Sequence, residues 1–225
     1  MVVGGIPIAR EAIPFVVPLL GLGLIFLFLK ILPGTVLSFL LVGFVLFFFR
    51  DPEREVPKGE GLVVAPADGT VVVVEPYKGT EAQGEELLQV SIFLSLLDVH
   101  INRAPVSGLV EEVRYTPGRF KVAYVPEASL ENERNLIRFA SWGGTVWMKQ
   151  IAGYLARRIV CRVKPGQRVE AGERIGLIRF GSRVDLLLPG RVATKVRVGD
   201  RVKGGTTVIA ILPGRKDRRE GERFT

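Results

Sequence analysis

The chain has 225 residues, a formal net charge of +8 and a strongly apolar N-terminal segment. Beyond that segment, roughly 175 residues suffice for one compact domain with its own core. A single cysteine, Cys161, excludes an intramolecular disulfide, and a single histidine, His100, excludes a metal site built from several histidines. The basic excess suits an anionic membrane or an acidic substrate, and we expect no nucleic-acid partner and no metal.

The N-terminal segment predicts a membrane hairpin. Two uncharged apolar runs, 12–29 and 31–49, are separated by Lys30. Each run is about long enough to cross a hydrocarbon core of about 30 Å. We therefore predict a membrane domain over residues 1–50 that consists of two apolar helices in contact with the lipid bilayer.

The flanking residues bear on how this hairpin sits in the bilayer. Arg10 precedes it and Arg50 follows it, so the positive-inside rule predicts that both ends face the cytoplasm. The next domain would then lie on the cytoplasmic side of the cell membrane. Pro14 and Pro18 leave open a second arrangement, in which a bent hairpin enters and leaves one leaflet.

From Leu62 onward, short β-branched runs alternate with glycine and proline turns, which is typical of an all-β domain. We predict a β-rich domain over residues 51–213 and a charged flexible tail over 214–225. Residues 163–178 and 196–211 share the frame V-x-x-G-x-R-V-x-x-G-x-x-(I/V), which indicates a duplicated β unit. The predicted fold is mainly β, a duplicated domain that resembles the lipoyl/biotinyl-like barrel-sandwich hybrid, behind the α-helical hairpin.

Three positions in the β-rich part are candidates for chemistry. Asp68 lies in a tight turn before a valine run, His100 is the single histidine, and Gly181-Ser182 stands between two apolar runs. Each signal alone is weak, because aspartate before glycine is usually a plain turn and a lone histidine is usually structural. Their occurrence together behind a membrane hairpin is what points to an enzyme.

Several motifs stand out, namely residues 48–54 (FFRDPER), 65–69 (APADG), 98–108 (DVHINRAPVSG), 131–134 (ENER), 150–153 (QIAG) with 156–158 (ARR), and 180–183 (FGSR). As a set they are highly specific, and from Phe48 to about Leu212 they resemble the phosphatidylserine decarboxylase family. The close match is to its short, archaeal-type branch, which is assigned to archaetidylserine.

The resemblance implies a proenzyme that cleaves itself between Gly181 and Ser182. The Ser182 hydroxyl attacks the Gly181 carbonyl, and elimination from the resulting ester frees two chains, 1–181 and 182–225, which stay associated. The former Ser182 becomes a covalent pyruvoyl group that forms a Schiff base with a serine phospholipid and accepts electrons while carbon dioxide leaves. The product is the ethanolamine phospholipid.

The resemblance also implies roles for particular residues. The family uses an aspartate, a histidine and the serine in a relay for self-cleavage, and Asp68 and His100 match its motifs. Longer members carry a second histidine where this chain has Arg103, so either His100 or Asp68 with water activates Ser182. Arg103 and Arg183 are candidates to bind the phosphate or carboxylate of the substrate. A structural salt bridge is an equal alternative for Arg103.

Other readings of the sequence remain open. A membrane anchor followed by a lipoyl-like domain is also the plan of non-enzymatic adaptor proteins of efflux pumps. Those adaptors carry a long helical hairpin between their β halves, and none is readable in this sequence. The sequence does not separate an archaeol from a diacylglycerol lipid, because both present the same phosphoserine head group. A homo-oligomer is also possible.

Overall fold

The computed structural model of the chain describes residues 2–3, 5–77, 79, 86–118, 132–153, 158–179, 181–190 and 192–213. The chain forms two compact units, Met1–Glu53 and Arg54–Thr225. The predicted tail at 214–225 lies outside the described residues, as do Phe180 and some other residues of the quoted motifs.

The N-terminal unit consists of two helices joined by a short turn at Lys30, which adopts a left-handed φ of 58°. Each helix begins and ends within one residue of a predicted apolar run. The elements of this unit are β1 (Val2–Val3), β2 (Ile6–Pro7), a 3-10 turn (Arg10–Ala12), α1 (Ile13–Phe28) and α2 (Leu32–Phe48).

Both helices present large apolar side chains outward. Phe28 is 86% exposed, Leu32 70% and Leu40 66%. The segment Arg10–Phe28 is long and apolar enough to cross a membrane, whereas α2 is shorter. Apolar surface of this extent is unfavourable in water, so these helices indicate membrane association. The membrane hairpin stays a prediction, with the spanning and the re-entrant arrangement both open.

The second unit is mainly β, as the sequence predicts. An antiparallel sheet of eight strands has the order β11-β7-β8-β9-β13-β5-β4-β15, and two three-stranded sheets have the orders β10-β12-β6 and β14-β16-β3. The strands are β3 (Leu62–Val64), β4 (Gly69–Tyr77), β5 (Leu87–Leu94), β6 (Ile101–Arg103), β7 (Gly108–Thr116), β8 (Arg134–Ser141), β9 (Gly144–Ala152), β10 (Ile159–Cys161), β11 (Arg168–Val169), β12 (Arg174–Ile178), β13 (Ser182–Pro189), β14 (Ala193–Thr194), β15 (Arg201–Val202) and β16 (Val208–Ile211).

The repeated sequence frame coincides with equivalent strands. Its first copy, 163–178, contains β11 and β12, and its second copy, 196–211, contains β15 and β16. Strands β11 and β12 pair with β7 and β6, while β15 and β16 pair with β4 and β3. Two groups of four strands are thus connected in the same way.

The core lies on one face of the eight-stranded sheet. Ile92 of β5, Phe139 of β8, Met148 of β9 and Val184 of β13 are fully buried there. Successive side chains of a strand point to opposite faces, so the residues between them lie on the other face, which we call the second face. In β13, Ser182 therefore lies on the core face and Arg183 on the second face.

We expect the core to respond strongly to truncation. Ile137→Ala should lower the free energy of unfolding by about 2–5 kcal/mol, because it opens a cavity at a fully buried side chain. Ile211→Ala removes the same atoms at a side chain that is 42% exposed and should cost about 1 kcal/mol or less. Denaturant unfolding of both variants in detergent measures the difference, and equal losses would contradict this core.

Candidate active site

Ser182 is the first residue of β13 and lies between two neighbouring strands. Its register partners are Leu94 of β5 and Ala152 of β9. The side chain is fully buried, and its Oγ has no hydrogen-bond partner among the described residues. Leaving a buried hydroxyl unpaired costs about 1–3 kcal/mol, so this arrangement is more easily explained by chemistry than by stability.

Gly181, just before Ser182, has an unusual backbone conformation. Its φ is 69°, in the left-handed region that favours glycine. A Cβ at this position would meet no atom within 4 Å. The need for glycine thus comes from the backbone angle rather than from lack of space, and a special angle next to a buried hydroxyl is typical of a functional site.

The ring of His100 is buried and contacts the backbone on both sides. Gly181 N–H donates to Nε2 over 3.3 Å, and Nδ1 lies 2.9 Å from the carbonyl oxygen of Asp98. A carbonyl only accepts, so Nδ1 carries the proton and Nε2 keeps its lone pair. The neutral ring thus presents its basic nitrogen to the residue before Ser182.

Strand pairing explains why His100 lies near the Gly181–Ser182 bond. Strand β12 pairs with β6, with Leu177 opposite Ile101, and Ile178 N–H donates to the carbonyl oxygen of His100 over 3.4 Å. The chain then leaves β12 and reaches Gly181 within three residues. The β6–β12 pairing therefore brings two segments together that are about 80 residues apart in sequence.

Asp98 fixes the loop that carries His100. Its carboxylate accepts hydrogen bonds from the Ser95 N–H over 2.8 Å, from the Ser95 hydroxyl over 2.7 Å and from the Arg201 guanidinium. Burial raises the pKa of Asp98, but the hydrogen bonds from Arg201 and Ser95 outweigh burial and hold this pKa below its usual value. Sequence reasoning assigned no role to either residue, although Asp98 stands inside a quoted motif and Arg201 is the arginine shared by the two copies of the repeat frame.

A chain of buried amides lies on the core face beside the site. Asn135 Nδ2 donates to Gln150 Oε1 over 2.9 Å, and Gln150 Nε2 donates to Asn102 Oδ1 over 2.8 Å. Gln150 stands two residues before Ala152, the register partner of Ser182. Asn102 Nδ2 is buried and has no partner in the described part of the chain. Sequence reasoning did not assign a function to these amides.

Asp68 is engaged elsewhere. Its carboxylate accepts hydrogen bonds from Arg54 over 2.8 Å and from the Gly204 N–H over 2.7 Å. It thereby ties the turn before β4 to the turn after β15. Between the described residues, no hydrogen bond joins Asp68 to His100 or to Ser182, so the structure does not connect the three residues of the predicted relay.

Arg103 is buried between two turns that occupy equivalent places in the sequence repeat. Its Nη1 donates to the Gly172 carbonyl oxygen over 2.9 Å, and its Cδ lies so close to Gly205 that a Cβ there would come within 2.9 Å. These contacts are structural and tie the repeats together. The predicted contact of Arg103 with a substrate stays a prediction.

Comparison with known proteins assigns the chain to a family. A profile of the family described as phosphatidylserine decarboxylase matches residues 41–210. The chain belongs to this family. A Symbiobacterium thermophilum protein named phosphatidylserine decarboxylase proenzyme is 47% identical over 207 residues, which are 92% of this chain and 96% of that protein. The predicted family is confirmed, and its short, archaeal-type branch stays a prediction.

Two further relatives with the same name show that the similarity covers most of the chain. The protein from Cereibacter sphaeroides is 44% identical over 220 residues, 96% of this chain and 94% of its own length. The protein from Desulfotalea psychrophila is 40% identical over 205 residues, 91% of this chain and 96% of its own length. The decarboxylase family thus accounts for both units of the chain.

Within this family member, the structure brings only some of the predicted site residues together. Gly181 and Ser182 adjoin at the start of β13, and His100 contacts Gly181 there. Arg183 lies on the second face and donates from Nε to Asp185 Oδ1 over 2.6 Å, so its guanidinium is directed away from the Ser182 side chain. The predicted binding of substrate by Arg183 has no support in this arrangement.

The lowered pKa of Asp98 predicts a stability loss in acid. The carboxylate contributes stability above its unfolded value of 3.8, and this contribution is lost as pH falls through the lower folded-state pKa. The temperature of thermal unfolding should therefore fall more steeply between about pH 5 and about pH 3 for the native chain than for Asp98→Asn. Asp200→Asn, in the exposed pair with Arg197, is the control and should keep the native slope. Equal slopes for the native chain and Asp98→Asn would contradict the assignment.

Proposed function

We propose that the chain cleaves itself between Gly181 and Ser182 and then decarboxylates phosphatidylserine with a pyruvoyl group made from Ser182. The observation that carries the proposal is the buried, unpaired Ser182 hydroxyl beside a left-handed glycine whose N–H contacts His100 Nε2. The names of the relatives, phosphatidylserine decarboxylase proenzyme, support both the substrate and the processing.

His100 is the base that we assign to self-cleavage. A serine hydroxyl is a weak nucleophile until a base removes its proton. The Asp98 carbonyl holds the His100 proton on Nδ1, so that the lone pair of Nε2 faces Gly181 and accepts its N–H. Nε2 must exchange its contact with the Gly181 N–H for the Ser182 hydroxyl, a small change of the kind that active sites make on reaction.

The residues around position 182 also suit the decarboxylation. A pyruvoyl group at this position supplies a ketone that acts as the electron sink when carbon dioxide leaves. Ser182 is fully buried, which excludes water from the reacting atoms. His100 can return a proton to the substrate carbon, because an imidazole exchanges protons near neutral pH.

The lipid and the membrane are also part of the proposal. The apolar N-terminal helices would keep the enzyme at the bilayer, so the substrate need not leave it. Arg10 and Arg50 favour a decarboxylase domain on the cytoplasmic side. The relatives' names favour phosphatidylserine, and archaetidylserine, with the same head group, is the alternative substrate.

The two products of cleavage would stay together because they share one sheet. Strand β13 belongs to the chain 182–225 and pairs along its length with β5 and along most of it with β9, both from the chain 1–181. The equivalent pairing of β11–β12 and β15–β16 supports the finer proposal of a duplicated lipoyl/biotinyl-like barrel-sandwich hybrid. A homo-oligomer stays a prediction.

The non-enzymatic adaptor is the weaker candidate. An adaptor has no use for a buried, unpaired hydroxyl that directly follows a glycine bound to a histidine. Adaptors of efflux pumps also carry a long helical hairpin between their β halves. Among the described residues of Arg54–Thr225 there is no helix.

Intact-mass analysis tests the self-cleavage. The purified protein should give two chains, 1–181 and 182–225, and borohydride should add mass to the second chain by reducing its ketone. Ser182→Ala should give one inactive chain, because the nucleophile is gone. Ser141→Ala, a serine at the other end of the sheet, is the control and should be cleaved normally. A native protein that stays intact would refute the proposal.

The choice of base is tested by a second pair of variants. His100→Gln should slow self-cleavage by about 10²–10⁴-fold, because it removes the proposed base. Asp68→Asn should be cleaved at close to the native rate, since Asp68 contacts Arg54 and Gly204 rather than the site. A time course of cleavage after cell-free synthesis measures both rates. Fast cleavage of His100→Gln with slow cleavage of Asp68→Asn would transfer the role of base to Asp68.

A further inference from the structure

The second face of the eight-stranded sheet carries a closed ring of buried hydrogen bonds next to Ser182. Arg183 donates from Nε to Asp185 Oδ1 over 2.6 Å and from Nη2 to Ser91 Oγ over 2.9 Å. Gln89 Nε2 donates to Ser91 Oγ over 2.9 Å and to Asp185 Oδ2 over 3.2 Å. We call these four side chains, all at most 8% exposed, the polar ring.

The polar ring connects the two chains that self-cleavage would produce. Gln89 and Ser91 belong to β5, within residues 1–181, and Arg183 and Asp185 belong to β13, within 182–225. Asp185 stands directly opposite Ser91 in the register of the two strands. Two of the four bonds of the ring cross between these strands, from Gln89 to Asp185 and from Arg183 to Ser91. The other two each lie within one strand.

Cleavage changes the way in which β13 is anchored. In the intact chain, residue 182 is held by covalent bonds on both sides, so β13 opens only as an internal loop. After cleavage it becomes a strand terminus, which can separate from its neighbours starting at the free end. Conversion of Ser182 to a pyruvoyl group also removes one backbone N–H from this position. The reacting ketone nevertheless has to keep its place, because a displacement of about 1 Å can cost about 10²-fold in rate.

We infer that the polar ring is the device that holds residue 182 in position after cleavage, an inference that rests on the proposed self-cleavage. Arg183 directly follows the new terminus and is held at two of its nitrogens, once within β13 and once across to β5. Hydrogen bonds from a guanidinium are stronger than neutral ones, and losing an acceptor in a buried place leaves charge unsatisfied. Ser91, which accepts from both Arg183 and Gln89, is thus a positioning residue on the opposite chain.

A purely structural network would stabilise β13 equally before and after cleavage. A positioning device has a larger effect after cleavage, because only then can the strand separate from its end. Comparing the same substitution in cleaved and uncleaved protein therefore distinguishes the two roles. Ser182→Ala supplies the uncleaved background.

The test uses Ser91→Ala in the full-length protein in phospholipid nanodiscs, after intact mass has established cleavage at 181–182. Cleavage should go to completion, and kcat for a short-chain phosphatidylserine should fall about tenfold while KM changes less than about twofold. Amide hydrogen exchange in β13 should accelerate about tenfold in cleaved protein and less than about twofold in the Ser182→Ala background. Gln89→Met keeps the side-chain volume and removes both hydrogen-bond donors of Gln89. It should also lower kcat and accelerate exchange in β13 more in cleaved than in uncleaved protein.

Tyr77→Phe is the matched control. It removes the hydrogen bond from Lys149 Nζ to the Tyr77 hydroxyl, another contact of a buried charge on the second face, whose two partners both lie within 1–181. Its kcat should stay within about twofold of native, and any faster exchange should be equal in the two backgrounds.

The outcomes separate the inference from the proposed function. A native chain that stays uncleaved overturns both. A cleaved chain in which Ser91→Ala and Gln89→Met keep the native kcat, or accelerate exchange equally in the two backgrounds, overturns the inference alone. If Ser91→Ala does not fold, Gln89→Met decides by the same two measurements.

Discussion

The site depends on the alternation of side chains at the start of β13. Ser182 and Arg183 are neighbours in sequence, and the pleat of the strand turns them to opposite faces of the sheet. The hydroxyl therefore lies on the core face, next to the glycine that contacts His100, while the guanidinium lies in the polar ring of the second face. A shift of one residue in the register of β13 would exchange the two and remove the site. Long pairing with β5 and β9 is what fixes the register.

His100 depends on a different kind of constraint. A backbone carbonyl rather than a carboxylate fixes the tautomer of its ring, because Nδ1 faces the Asp98 carbonyl oxygen. The Asp98 carboxylate instead builds the loop through Ser95 and Arg201. Arg201 belongs to the second copy of the sequence repeat, so the repeat contributes to the loop of the histidine.

Buried polar groups in this protein fall into satisfied and unsatisfied sets. On the second face, Arg183 Nε and Nη2 are paired within the polar ring and Lys149 contacts Tyr77, whereas Arg183 Nη1 has no hydrogen-bond partner within the described residues. On the core face, Ser182 Oγ and Asn102 Nδ2 have no partner within the described residues. A protein gains stability from the first set and loses some through the second. The two unpaired groups of the core face stand at the start of β13 and at the end of the amide chain.

Local sequence predicted the features that depend on local physics. Two uncharged apolar runs sufficed for the helices, and β-branched runs between glycine turns sufficed for a mainly β body. The motifs identified the family, and glycine at 181 agreed with a left-handed backbone angle. Charge and motif did not suffice to predict the partners of Asp68, Arg103 and Arg183, because these residues contact turns or strands that are distant in sequence.

The sequence by itself thus determined the apolar helices, the mainly β architecture and the family, and it singled out the Gly181–Ser182 bond as the predicted cleavage site. Only the tertiary structure decided which side chains surround that bond. It brought His100 to Gly181 through the pairing of β6 with β12, and it engaged Asp68 with Arg54 and Gly204. The reason is physical: helix and strand formation follow from neighbouring residues, whereas a buried hydrogen bond needs two groups that the folded chain alone brings within about 3 Å.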